Sequence, residues 1–187
     1  MRIIIIGLSL LCLSSSVFAQ PDGPQVSLGG HYSALALDYP EQRRSGGGGW
    51  VAYDGLGPFG LDVAMTLFAG DNAFAGRVTQ LLAGARSGIR RERFAAFARV
   101  RPGVTRFGRR FMAPEIVCIA IFPTPEACLT LQSTFTLDIG GTVQLFIPTR
   151  SVLRIDVGDA IIRFDRRRFQ STWRHNLQIT AGAGLRF

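Results

Sequence analysis

The chain is 187 residues long and 47% hydrophobic, and its 21 basic residues against 13 acids give a formal charge of +8. That length provides for one domain with its own core, and so apolar a composition excludes a disordered, charge-solvated chain. Every basic residue is Arg and none is Lys, and no uncharged apolar run reaches the length of about 18 residues that a membrane-crossing helix requires.

The first nineteen residues, "MRIIIIGLSLLCLSSSVFA", hold one Arg, an apolar run from Ile3 to Leu13, and a small-x-small site at Val17 and Ala19. This is the layout of a secretory signal peptide cut before Gln20. A signal anchor would lack the cleavage pattern. A lipoprotein signal at Cys12 is rejected, because Leu10 and Leu11 stand where small residues are needed. Residues 20–187 then form a single domain with 20 Arg against 13 acids. An exported chain rarely meets nucleic acid, so its partners are expected among anionic lipid headgroups and phosphates.

Beyond the leader, two-residue alternation recurs. Val26, Leu28 and Tyr32 oppose Ser27, Gly29, His31 and Ser33. Leu61, Val63, Met65 and Leu67 alternate with Asp62, Ala64, Thr66 and Phe68. Leu81, Ala83 and Ala85 oppose Gln80, Leu82, Gly84 and Arg86; Phe94, Ala96, Ala98 and Val100 oppose Ala95, Phe97, Arg99 and Arg101. Then come "STFTLDIGGTVQLFIP", "SVLRIDVGD" and, at the end, "HNLQITAGAGLRF". Period two is the signature of strands with two unlike faces. Eight strands are expected, at 25–37, 46–54, 60–69, 76–87, 92–104, 132–147, 151–164 and 174–187. The second, around "GGWVAYD", has faces the pattern does not assign, and "SGGGGW" at 45–50 reads as a loop tip entering it.

These strands are longer than the usual five or six residues of soluble sheets and match a tilted, bilayer-crossing strand. Short connections ("GLGPF", "GIRR", "PTRS") alternate with longer ones at 38–45, 70–75, 105–131 and 165–173. With the N-terminus inside, every short turn falls on the periplasmic side. A soluble barrel alternates too, but with its apolar set inward. Here the polar set carries long Arg side chains beside many glycines, which suits a narrow lumen, and the apolar set holds almost no charge. The expected fold is therefore all-β: a closed, eight-stranded, antiparallel, up-and-down transmembrane β-barrel. An open edge in hydrocarbon is costly, so the last strand must pair with the first, placing Phe187 at the periplasmic interface.

The terminal "LQITAGAGLRF" resembles the C-terminal assembly signal of bacterial outer-membrane proteins, with Leu185 and Phe187 carrying the alternation and the aromatic end. "LDIGGTVQLFI" followed by "SVLRIDVGD" is similar to the penultimate hairpin of barrels of the outer membrane protein A and outer membrane protein X type. The resemblance implies an outer-membrane location and recognition by the barrel assembly machinery. Unlike outer membrane protein A, the chain has no peptidoglycan-binding domain, so cell-wall anchoring is not implied.

The candidate chemistry is sparse. Asp62, Arg86, Arg99, Arg101, Asp138, Arg154, Asp156 and Arg186 fall on the inward set and are expected to form an Arg–Asp network. Such a network reads as a plug or as the lining of a narrow anion-preferring pore. Arg43, Arg44, Arg109, Arg110, Arg166, Arg167 and Arg168 are placed in the outer loops as lipopolysaccharide contacts, or as ordinary solvated residues. Cys118 and Cys128, exported together, read as one local disulfide in the 105–131 loop, with free thiols or half a metal site as alternatives. That loop, "EIVCIAIFPTPEAC", is apolar and suits either a partner site or a lid. His31 and Ser33 share the inward face of the first strand, which leaves a lipid A-modifying enzyme as a third reading. No metal or cofactor motif is present, so none is expected. The residues point to a monomeric structural or surface-recognition barrel acting through its outer loops, with a passive channel as the runner-up.

Overall fold

The computed structural model describes residues 24–37, 42–55, 57–69, 77–108, 132–147, 150–165 and 171–187. The signal peptide, the two cysteines and Arg109, Arg110, Arg166, Arg167 and Arg168 lie outside these residues.

The elements are β1 (Gln25–Leu37), β2 (Gln42–Asp54), β3 (Phe59–Phe68), β4 (Val78–Arg90), β5 (Phe94–Phe107), β6 (Gln132–Ile147), β7 (Ser151–Asp165), β8 (Ser171–Arg174) and β9 (Leu177–Arg186). The last two are one stave. Arg174 pairs with Ile162 and Leu177 with Asp159, in a single uninterrupted register. Between them the Asn176 amide donates to Asp159 Oδ1 (3.0 Å), and Asn176 Nδ2 donates to the Ala160 carbonyl (2.8 Å). Side chains there replace part of the ladder, so nine segments make eight staves.

Each stave pairs antiparallel with its chain neighbour, and β1 pairs with β9 to close the cylinder. The closing ladder runs from Ser27–Arg186 to Ala36–Leu177. Its final rung is made by the last residue: the Phe187 amide donates to the Val26 carbonyl (2.8 Å), and the Val26 amide donates to Phe187 O (3.2 Å). The alternating set ends where the sheet has no edge left to pair.

The faces have the membrane sense. Val63, Met65 and Leu67 on β3, Val143 and Leu145 on β6, and Leu153, Ile155 and Val157 on β7 are exposed on the exterior. Their neighbours Asp62, Thr66, Thr142, Gln144, Arg154 and Asp156 are buried in the interior. An apolar surface that girdles the whole molecule belongs against acyl chains rather than water.

The structure moves several boundaries. β2 starts at Gln42, so "SGGGGW" is not a loop tip: Gly46 to Gly49 pair with β1 on one side and β3 on the other. The first outer connection is thus only residues 38–41. Gly46 and Gly48 are needed for close approach. A Cβ at Gly48 would meet the Met65 carbonyl oxygen and lie 2.8 Å from His31 Nε2. β4 extends to Arg90, which shortens the "GIRR" turn to residues 91–93, and β5 extends to Phe107.

Lipid exposure is testable by depth. Val63→Arg, at the middle of β3, should lower the unfolding free energy in phospholipid vesicles by about 2–4 kcal/mol, whereas Tyr53→Arg at the short-turn end should cost about 0–1 kcal/mol. Urea titration of vesicle-folded protein reads both. Equal costs at the two positions would contradict the belt.

Candidate functional site: a layered lumen and a basic outer rim

Six of the inward charged residues form a closed ring of alternating sign. Asp62 Oδ2 accepts from Arg101 Nη1 (3.1 Å) and Arg154 Nη2 (2.6 Å), and Asp62 Oδ1 accepts from Arg154 Nη1 (2.9 Å). Arg101 continues to Asp138, its Nε and Nη2 each 2.9 Å from Oδ2. Arg99 Nε shares that oxygen at 2.9 Å, and Arg99 Nη1 reaches Asp156 Oδ1 at 2.7 Å. Arg154 Nε on Asp156, 2.9 Å from Oδ1, closes the circuit. Thr142 joins it, donating to Asp156 (2.7 Å) and accepting from Arg99 (3.0 Å).

The ring spans the tube. Its members come from β3, β5, β6 and β7, and Arg101 and Arg154 reach across the lumen to Asp62. All six residues are buried, none more than 3% exposed. Three cations balance three anions, so desolvation is offset by short, charge-assisted contacts rather than by water. A small residue makes room: a Cβ at Gly158 would stand 2.7 Å from Asp138 Oδ1 and 3.1 Å from Arg99 Nη2.

The other two arginines of the expected network do not join the ring. Arg86 pairs with Asp54 (Nη2 to Oδ1, 2.6 Å) and lies over the Phe97 ring (4.4 Å). Arg186 lies over the Phe146 ring (4.5 Å). Asp54 and Arg90, which also pair (3.3 Å), were not among the sequence candidates. Asp54 was legible in principle, because it keeps phase with Trp50 and Ala52, all buried, once the faces of β2 are known.

Apolar layers lie above and below the charges. Toward the loop end, Leu35, Leu37, Phe68, Val78, Phe107, Ala160 and Ile162 form one buried cluster. Toward the short-turn end, Trp50, Ala52, Ala64, Ala95, Phe97, Phe146 and Val152 form a second. Arg154 lies over the Trp50 ring (4.8 Å), linking the ring to the lower layer. The sequence expectation of an Arg–Asp network did not include these apolar layers, although Phe68, Phe97 and Phe146 stand on the inward set.

His31 and Ser33 face the lumen and bond elsewhere. His31 Nε2 is 2.8 Å from Thr66 Oγ1. Ser33 Oγ accepts from Thr180 Oγ1 (2.9 Å) and Gln178 Nε2 (3.1 Å). His175, exposed on the exterior, bonds Asp159 through Nδ1 (2.6 Å). Among the described residues no three His, Cys, Asp or Glu side chains gather as a metal site.

At the loop end, Arg43 is exposed on the outer wall of β2. Arg44, its neighbour, points inward and is buried, which removes it from the outer rim because adjacent residues of a strand face opposite sides. Arg77 just before β4, Arg106 on β5 and Arg163 on β7 are exposed at the same end. Arg163 lies over Trp173 (5.9 Å), which meets Phe135 edge-on (6.2 Å).

Breaking the ring should be costly. Asp62→Ala leaves Arg101 and Arg154 without their shared acceptor and should lower stability by about 3–5 kcal/mol. Adding Arg154→Met should recover part of that loss. Urea midpoints of vesicle-folded protein decide it; a single-variant loss below about 1 kcal/mol would show that the ring is not a structural unit.

No known protein-family profile matches the chain, and no curated protein matches it in sequence. Solved structures do match in shape. The Neisserial surface protein A (NspA) superposes with a TM-score of 0.59 at 10% identity, covering 88% of this chain and 97% of that one. The N-terminal β-barrel domain of Pseudomonas aeruginosa OprF gives 0.56 at 10% identity, covering 87% and 97%. Ail, the attachment invasion locus protein of Yersinia pestis, gives 0.54 at 15% identity, covering 89% and 100%; it has also been crystallised with the heparin analogue sucrose octasulfate. A cylinder of eight staves with an apolar exterior, a last residue that completes the closing ladder and these three superpositions lead to one conclusion: the chain has the fold of the small eight-stranded outer-membrane β-barrels.

Proposed function

We propose that this is an integral barrel of the bacterial outer membrane that does not conduct solutes and acts through its outward-facing surface. The observation that carries the reading is the filled lumen. An ion-pair ring crosses the tube, and an apolar cluster packs on either side of it. An eight-stranded cylinder is just wide enough for side chains to fill, and here they do. His31 and Ser33, each bonded to another partner, support a structural rather than catalytic part for that pair.

The exposed Arg43, Arg77, Arg106 and Arg163 mark the rim where the outer leaflet presents phosphates. Guanidinium groups pair with phosphate in bidentate fashion, so lipopolysaccharide is the natural contact. The crystallised complex of Ail with a polysulfated sugar is in keeping with polyanion contacts on barrels of this shape. Arg109, Arg110, Arg166, Arg167 and Arg168 would add to the same rim, and a Cys118–Cys128 disulfide would brace the largest loop.

Purified protein reconstituted in planar bilayers should give a flat current trace at voltages where porins conduct. Stepwise openings would overturn the non-conducting reading. Separately, Arg43→Ala combined with Arg106→Ala and Arg163→Ala should weaken partition into lipopolysaccharide-containing vesicles by about 1 kcal/mol per Arg, and leave partition into zwitterionic vesicles unchanged. Co-flotation of folded protein measures both, and an equal loss in the two vesicle types would remove the phosphate contact.

A further inference from the structure

At the lower end of the lumen, inward cationic side chains outnumber carboxylates among the described residues. Arg86, Arg90 and Arg186 gather around the Phe97 and Phe146 rings. Arg86 lies 4.4 Å from the centre of Phe97; Arg90 and Arg186 lie 5.2 and 4.5 Å from that of Phe146. The inward carboxylate bonded to this group is Asp54, which takes Arg86 through Nε (3.0 Å) and Nη2 (2.6 Å), and Arg90 through Nη1 (3.3 Å). Arg90 also donates to Gln25 Oε1. Among the described inward side chains, three guanidinium groups face one carboxylate, so cations are in excess. The central ring, by contrast, is neutral.

A second observation points the same way. Arg86 Nη1, Arg90 Nε, Gln144 Nε2 and Trp50 Nε1 are buried atoms of this lower segment that have no hydrogen-bond partner among the described residues. All four are donors. Arg86 and Gln144 are each 1% exposed and Trp50 is 3% exposed. Buried donors of this kind are normally satisfied, and a group of donors without acceptors calls for an acceptor.

The rim continues the pattern. The Phe146 amide donates to the Arg93 carbonyl (2.9 Å), and the Arg186 amide donates to the Arg150 carbonyl (2.8 Å). The turn arginines are thereby tied to the backbone of the two residues that form the stack. Arg150 has φ of 69°, a left-handed conformation that glycine or asparagine adopts more readily. Glu92 is exposed in its turn, and Phe187 O is engaged with the Val26 amide.

We propose that the short-turn mouth of the barrel is a binding site for a dianionic phosphate group, held by Arg86, Arg90 and Arg186 and entered past Arg93 and Arg150. A phosphate monoester brings two negative charges and three terminal acceptor oxygens to the surplus cations and orphan donors; a single carboxylate brings one charge and two oxygens. In the outer-membrane reading this mouth opens to the periplasm, so the phosphate belongs to a diffusible monoester or to the headgroup of an inner-leaflet lipid.

The test uses the folded chain in zwitterionic phosphatidylcholine nanodiscs, titrated calorimetrically with inorganic phosphate and, at matched ionic strength, with acetate. Phosphate should bind saturably at one site, and acetate about tenfold more weakly or less. Arg186→Gln removes no ion pair and should weaken phosphate about tenfold, and Arg90→Gln combined with it should weaken it further. Arg150→Gly relieves the left-handed backbone; it should raise the urea midpoint while still weakening phosphate, an outcome a purely structural role would not produce. Heat-modifiable electrophoretic mobility confirms that each variant is folded. If phosphate binding falls when phosphatidate is added to the nanodisc, the lipid headgroup is the source; if it is unaffected, a diffusible monoester is, and either result accords with the site. No saturable heat in the parent protein, or equal binding by the folded double variant, would overturn the proposal. Conductance is not involved, so this test and that of the sealed lumen fail independently.

Discussion

A backbone amide surrounded by hydrocarbon has no water to bond, so each must find its partner within the sheet. That requirement reaches the last residue of this chain. Phe187 and Val26 exchange both backbone hydrogen bonds, and the β1–β9 ladder above them leaves no free edge. Once the cylinder closes, alternate residues of every stave have only two destinations. The exterior takes Val, Leu, Ile and Phe, and the interior must hold whatever remains.

What remains includes many charges, and their confinement explains the lumen. An unpaired ion in so narrow a space costs several kcal/mol, and pairs are tolerable only with good geometry. The six-membered ring meets that condition by giving each of its carboxylates at least two cationic neighbours. The apolar layers on both sides surround the ring with low-dielectric side chains, which strengthens its contacts. The lower end is built differently. Aromatic faces receive Arg86, Arg90 and Arg186, and one inward carboxylate, Asp54, pairs with Arg86 and Arg90. Aromatic rings weaken the cost of burying a cation without cancelling its charge. Neutral ring and positive mouth are therefore two distinct electrostatic regions of one tube.

The glycines link these regions to the backbone. Gly46 and Gly48 let β2 lie close to β3, and Gly158 leaves space for Asp138 and Arg99. A residue that contributes no side chain to the lumen is as necessary to its filling as the arginines that do.

Period-two alternation, long strands and an aromatic terminus were enough to derive from sequence an eight-stranded barrel with its apolar face outward, because the pleat of a strand sends neighbouring side chains to opposite sides wherever the strand lies. The same rule placed Asp62, Arg99, Arg101, Asp138, Arg154 and Asp156 on the inward side. It was silent where the pattern lapsed: four consecutive glycines hide the phase of β2, so Trp50 and Asp54 went unassigned, and Arg44 was taken for a loop residue. Nor does alternation say which Arg meets which Asp. Asp62 and Arg154 are 92 positions apart, and what joins them is the stagger of staves around a closed tube. That stagger fixes the height and angle of each inward side chain, and so only the tertiary structure decided that six charges form a closed circuit of ion pairs while three arginines are left to line one mouth.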